Sequence, residues 1–284
     1  MNVSWMATLL IGGWLAVCGA AVAAEAPTDD NLAAKAEPAP SLRELIDGAV
    51  RDVQIFADAK TERPARVVVA MRWANNARGS EDGTTVLYVH DGRPLAVACL
   101  YPWEGKLVRE FSALSLDRIV ARRDGALIWQ PREPGLKFAD IPAAPAPEPK
   151  ATQRLRQMKS LASQFHSTML GWKADNTDRE ELRLLPRPLY RYEPTAGRVF
   201  DGAVFAFVMG TDPESLLLIE AAKQGDASHW QYAFVRRTSG QLEGRHRGQI
   251  VWRADRFPEM RNVYGPNFSV VSLLPPELLP EIEN

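Results

Sequence analysis

The stretch Thr84-Thr85-Val86-Leu87-Tyr88-Val89-His90, followed by Asp91-Gly92 and then Pro94-Leu95-Ala96-Val97-Ala98-Cys99-Leu100-Tyr101, reads as two apolar strands joined by a tight turn. Glycine accepts the positive φ that a short hairpin turn needs, so Asp91-Gly92 marks the reversal and an antiparallel pair. Arg66–Trp73 lies upstream and alternates: Val67, Val69, Met71 and Trp73 share one face, Arg66, Val68, Ala70 and Arg72 the other. Lys106–Leu114 and Leu116–Trp129 follow downstream, the last broken at Asp124-Gly125. Strands this long need a helix or a second sheet as cover. Farther upstream, Ser41 is placed to cap a helix and Glu44 to complete a capping box. Leu42, Leu45, Ile46, Ala49, Val53 and Phe56 then form its apolar face.

The same order recurs. Thr152 is the candidate cap of a second helix with the stripe Leu155, Met158, Ala162, Phe165 and Met169, and Gly171 is its stop. The strands expected after it are Leu182–Tyr192, Ala203–Gly210, Glu214–Ala222, His229–Thr238 and Gln241–Trp252, with Ser239-Gly240 as a hairpin turn. Arg72-Trp73 matches Arg191-Tyr192 at a spacing of 119, as do Asp82-Gly83 with Asp201-Gly202 and Pro94 with Pro213. Gly125 and Trp129 match Gly248 and Trp252 at 123. Several anchors at one offset, in one order, predict an internal duplication. The expected fold class is therefore α+β: two tandem repeats, each an amphipathic helix followed by a roughly five-stranded antiparallel meander, with pseudo-twofold packing as one arrangement.

The expected domains follow from composition. Residues 1–24 carry no charged side chain, and Thr8–Val17 is an apolar run of signal-peptide length. Ala21-Val22-Ala23 fits the cleavage pattern, so a signal peptide cut near Ala23 and a secreted or periplasmic product are expected. The run is short for a membrane anchor. Leu15-Ala16-Val17-Cys18 resembles a lipoprotein box, but Val17 stands where a small residue belongs, so plain cleavage ranks above a lipid anchor at Cys18. A flexible tether (25–40) leads to the first repeat (41–141). Pro142–Pro149, four prolines in eight residues, opens an extended linker (142–151). The second repeat (152–257) and an extended C-terminal tail (258–284) complete the chain.

With 34 basic against 35 acidic side chains, the chain lacks the basic excess that nucleic-acid binding uses. Nucleophile elbows, phosphate loops, dinucleotide turns and zinc-helix motifs are all missing. The histidines His90, His166, His229 and His246 have no ligand spacing, although His229 and His246 fall on neighbouring expected strands. No metal, cofactor or catalytic residue is therefore expected. Cys99, the one cysteine beyond the leader, reads as an inert core thiol. Arg78-Gly79-Ser80-Glu81-Asp82-Gly83 is the most polar cluster. Glu81 and Asp82 can be drawn as a calcium site or an acid–base pair, yet the other copy keeps only Asp201-Gly202, which favours turn chemistry. Three residues stand as candidate contacts. Arg72 and Arg191 either face one cleft between the units, holding an anion or a sugar hydroxyl, or lie on a solvated sheet face, the commoner outcome. Trp103, in Tyr101-Pro102-Trp103-Glu104-Gly105, is either an exposed contact for sugar or protein at a hairpin tip or, more commonly, is buried against the neighbouring unit.

The run Arg191-Tyr192-Glu193, then Phe200–Glu214 and Leu216–Glu220, resembles a group of exported proteins of planctomycete-type bacteria, as does Arg78–Gly83. The resemblance covers most of the chain after the leader. It implies bacterial export and a genuine domain, and carries no activity, ligand or catalytic residue with it. The functional expectation is a non-catalytic binding or structural module of the cell envelope that engages a protein or polysaccharide. A periplasmic carrier holding a small ligand between helix and sheet is the alternative, and a divergent hydrolase using Glu81 and Asp82 ranks last. Oligomeric state is not legible.

Overall fold

A computed structural model describes residues 40–75, 79–171, 178–194, 197–257 and 267–272. The leader with Cys18, most of the tether, Arg78, the Ser80 and Glu81 side chains and most of the tail lie outside the described residues. The chain begins with α1 (Leu42–Arg51), β1 (Val53–Phe56), β2 (Arg66–Asn75), β3 (Ser80–His90), β4 (Arg93–Trp103), β5 (Lys106–Ala113), β6 (Val120–Arg123) and β7 (Ala126–Trp129). After β8 (Ala139–Asp140) come α2 (Ala151–Ala162), β9 (Phe165–Leu170), β10 (Arg179–Leu184), β11 (Tyr190–Tyr192) and β12 (Val199–Met209). Then follow β13 (Asp212–Gln224), β14 (Ala227–Arg236), β15 (Gln241–His246), β16 (Gln249–Ala254) and β17 (Phe268–Ser272).

Strand outweighs helix by 55% to 11%, so the fold is mostly β. The expectation of an α+β fold, with two repeats of one helix and five meandering strands, is overturned. Two local misreadings account for this. The expected helices run on through Val53 and Phe56 and through Phe165 and Met169, but the chain leaves the helix at Arg51 and at Ala162. Val53 and Ile55 are buried around an exposed Gln54, a period of two that a helical stripe also fits at those positions. The second misreading concerns pairing. Ser239-Gly240 closes no hairpin, because β15 pairs with β9 and β16 and not with β14. Likewise β6 leaves β5 and pairs with β1 and β7.

Three sheets result. A five-stranded sheet runs β17-β5-β4-β3-β2, and β1-β6-β7 form a small one. The third has nine strands in the order β16-β15-β9-β10-β12-β13-β14-β8, with β11 also on β12. The Asp91-Gly92 hairpin is formed as read, Gly92 taking φ 78°. Both Asp82-Gly83 and Asp201-Gly202, read as turns, instead lie inside β3 and β12. Their glycines serve the ring opposite: Gly83 faces Trp73 and Gly202 faces Tyr192 in register, and a Cβ at either would come within 2.5 Å of ring atoms.

Three apolar layers hold the fold. The middle one packs Leu87, Val89 and Val97 of the five-stranded sheet against Val204, Leu218 and Val235 of the larger one. The opposite face of each sheet is covered by its own helix. Ile46 and Val50 of α1 sit over Tyr88, Leu100 and Phe111, and Met158 and Leu161 of α2 over Phe205, Phe207 and Phe234. The Ser41–Glu44 capping box of α1 is formed, Ser41 N donating to Glu44 Oε2 at 2.8 Å. α2 starts at Lys150 without a side-chain cap, so Thr152 is not its cap. The proline segment carries no helix, as expected, and the one described piece of the tail adds β17 to the edge of the five-stranded sheet.

Candidate functional site

Strand alternation sends Arg72 and Arg191 outward, each to its own helix. Arg72 Nη2 donates to Asp47 of α1 at 2.7 Å and Nη1 to Thr84 at 3.2 Å. Arg191 donates through Nε and Nη2 to the buried Asp201 carboxylate at 3.0 and 2.6 Å, and through Nη2 to the Ala151 carbonyl at the start of α2. Its hydrogen bonds to Asp201 raise its pKa above the usual arginine value. These arginines tie helix to sheet on opposite sides of the fold, and the structure does not bring them together. Trp103 sits at the β4–β5 tip, 38% exposed, beside Glu104 and Gly105 in left-handed conformations.

Nor do the remaining sequence candidates converge. Asp82 is held by Arg43, Nε to Oδ2 at 2.9 Å. His229 lies against Asp140 and His246 against Phe165 and Gln164, so these two histidines do not meet. Among the described residues no cluster of three metal-ligating side chains occurs. Cys99 is buried between Thr85 and Arg237, and burial pushes its thiol pKa up, which disfavours the thiolate. Glu220, wholly buried between the two large sheets, is satisfied by Tyr192, Gln231 and Arg93 at 2.7, 2.7 and 2.6 Å.

Buried donors without a hydrogen-bond partner among the described residues include Trp230 Nε1 under α2 and Arg237 Nε, and several gather in the interior between α1 and its sheet. Arg109 alternates with Leu107 and Phe111 on the inward face of β5 and is wholly buried. Its Nη2 bonds the Ala49 carbonyl and Asp52, at the C-terminal end of α1, the latter at 2.6 Å. Its Nε and Nη1 have no hydrogen-bond partner among the described residues. The guanidinium carbon lies 5.7 Å from the centre of the Phe111 ring, which stacks on Trp129 at 5.2 Å. Trp129 Nε1 and the Tyr88 hydroxyl, both on wholly buried side chains of the same interior, also lack partners. Burial pushes Tyr88 up to about 12, Arg109 acting in the opposite sense and Asp52 in the same one. The hydroxyl is therefore a standing donor.

Leaving buried donors unpaired costs about 1–3 kcal/mol each. Arginine and tryptophan nitrogens donate only, so what would satisfy this interior is an acceptor. Sequence reasoning assigned Lys106–Leu114 as a strand and passed over Arg109. The available signal was an arginine on the apolar alternate of β5, between Leu107 and Phe111.

Compared with known proteins, the chain matches no family model, no curated protein and no solved structure.

Proposed function

We propose that the chain is an exported, non-catalytic binding protein that carries a small ligand between α1 and the sheet behind it. The observation that supports this reading is the set of unpartnered donors on Arg109, Tyr88 and Trp129, three side chains with no exposed surface. Most buried polar groups of a packed interior are paired, and here three side chains with unpaired groups gather in one place. Export rests on the uncharged leader and its small-residue cleavage pattern. Among the described residues no helix is long and apolar enough to cross a membrane.

The test is native mass spectrometry of the mature protein purified gently from its own cell envelope. A mass excess that survives desalting and disappears on denaturation is expected. A bare polypeptide mass from every preparation would remove the carrier reading.

A second reading, an envelope contact module, draws on Trp103, a residue 38% exposed at a hairpin tip. On that reading Trp103→Ala releases the protein from envelope protein or polysaccharide without lowering its thermal midpoint. Unchanged retention removes Trp103 from consideration.

A further inference from the structure

We infer that the ligand is a single-headed anionic amphiphile, a carboxylate on an aliphatic chain, with its head on Arg109 and Tyr88. The inference rests on the carrier reading and adds the chemistry of what is carried. Three observations lead to it.

The first is the donor set. Among the described residues Arg109 Nε and Nη1, the Tyr88 hydroxyl and Trp129 Nε1–H are left over, and the side-chain acceptor left beside these donors is the Tyr88 oxygen itself. A hydroxyl-rich ligand such as a sugar brings as many donors as acceptors and would leave its own unmatched. A carboxylate only accepts.

The second is charge. Asp52 is the carboxylate that meets Arg109, and Arg123 lies 4.0 Å from its other oxygen. Arg109 is wholly buried, while Arg123 is 38% exposed, so the surplus positive charge lies at the solvent edge and Arg109 shares a one-third-exposed counter-ion. An anionic head on Arg109 would complete the pairing of a buried guanidinium whose carboxylate also serves a second cation.

The third is the wall. Around these donors the interior is apolar, with Ile55, Leu100, Leu107 and Ile119 buried beside the Phe111 and Trp129 rings and Ile46 and Val50 of α1 above them. α1 is a ten-residue helix, held over the sheet by Ile46 and Val50, by the bonds of Asp52 and Ala49 to Arg109, and by Arg72 to Asp47 and Arg43 to Asp82. On this inference α1 shifts to admit the ligand, and a chain of methylenes takes up the contacts that Ile46 and Val50 give up.

The full mature chain, freed of bound material and checked by its native mass, is titrated with decanoate, with decanol and with acetate. Heat release is measured, together with the indole N–H resonance that Trp129→Phe assigns to Trp129. Decanoate is expected to bind and move that resonance, with decanol and acetate each at least about tenfold weaker, since a hydrogen bond to a charged group contributes about 1.5–3 kcal/mol. Tyr88→Phe, which removes only an unpartnered hydroxyl, should weaken decanoate by about tenfold or more on the same grounds. Arg109→Tyr should abolish the preference for decanoate over decanol.

Equal affinity for decanol and decanoate overturns the head-group assignment and leaves the carrier reading standing. Acetate binding as tightly as decanoate overturns the amphiphile. Failure of all three probes overturns the ligand class, and the native mass of the envelope-purified protein then decides separately whether anything is carried.

Discussion

Tyr88 and Tyr192 are both wholly buried, and removing one hydroxyl from each should have opposite consequences. Tyr192 donates to Glu220 at 2.7 Å, one of three groups on that carboxylate. Tyr192→Phe removes a hydrogen bond to a buried charge, at a cost of about 1.5–3 kcal/mol. In a chain of this size each kcal/mol moves the thermal midpoint by about 2–4 °C, which gives a fall of about 3–12 °C. The Tyr88 hydroxyl has no hydrogen-bond partner among the described residues, so Tyr88→Phe withdraws a desolvated polar group and breaks no bond seen there. Its effect in ligand-free protein should lie between zero and a gain of about 1–3 kcal/mol. Urea midpoints at neutral pH, read by far-ultraviolet dichroism and by tryptophan fluorescence, compare the two variants directly. A Tyr88→Phe loss as large as that of Tyr192→Phe, in protein of bare native mass, would refute the reasoning. The hydroxyl would then be bonded within the fold, and the α1 interior would offer a ligand nothing from Tyr88.

Gly83→Ala puts a methyl 2.4 Å from the Trp73 ring, and displacing the ring breaks the bond of Trp73 Nε1 to Thr85 at 3.0 Å. Overpacking costs about 1–3 kcal/mol and the lost bond about 0.5–1.5, so the urea midpoint should fall clearly, and a wild-type midpoint would show that the ring has another place to go. Glu243 is buried, which alone would raise its carboxyl, but hydrogen bonds and charge from Arg245, with Arg179 and Arg253 beside it, hold it below the usual glutamate value. A folded pKa below the unfolded one gives stability that is present above the unfolded value of about 4.3 and is lost as pH falls through the folded value. The thermal midpoint of wild type should therefore exceed that of Glu243→Gln at pH 7, with the gap closing below about pH 4.3. A gap that stays constant down to pH 3 would mean that the arginines do not act on its ionisation.

The features legible in the sequence are those set by neighbouring residues. Asp91-Gly92 fixes its hairpin and Ser41 with Glu44 its capping box, because both depend on groups two or three residues apart. What failed depends on distant partners. Val53 satisfies a helical stripe and a strand alternation equally well, and only pairing with Arg123 of β6 decides between them. Gly83 looks like half of a turn because the ring that requires a glycine there, Trp73, belongs to another strand. The arginines Arg72 and Arg191 were rightly turned away from the aromatic neighbours on their strands. Which surface they then faced depended on where each helix lay, and each went to its own. Arg109 was invisible for the same reason: it is buried only because α1 lies across it.

The interior under α2 allows a sharper test of whether Arg109 is required by the fold. Each helix is tied to its sheet, Arg43 with Asp82 and Arg154 with Asp201, at 2.9 and 2.7 Å. The stacked pair Phe111 and Trp129 at 5.2 Å resembles Phe234 and Trp252 at 5.3 Å. Tyr232 stands two residues before Phe234, as Arg109 does before Phe111, and its ring packs on Phe165 at 4.8 Å in the interior under α2. An aromatic side chain thus suffices at that place to close an interior of this construction. Arg109→Tyr should accordingly fold, with Asp52 keeping the neighbouring Arg123 and its one-third exposure to water. If that variant holds the wild-type thermal midpoint while decanoate no longer binds better than decanol, the guanidinium serves a ligand. If it unfolds, Arg109 is needed to seat α1, and its unpartnered nitrogens lose their significance as a binding site.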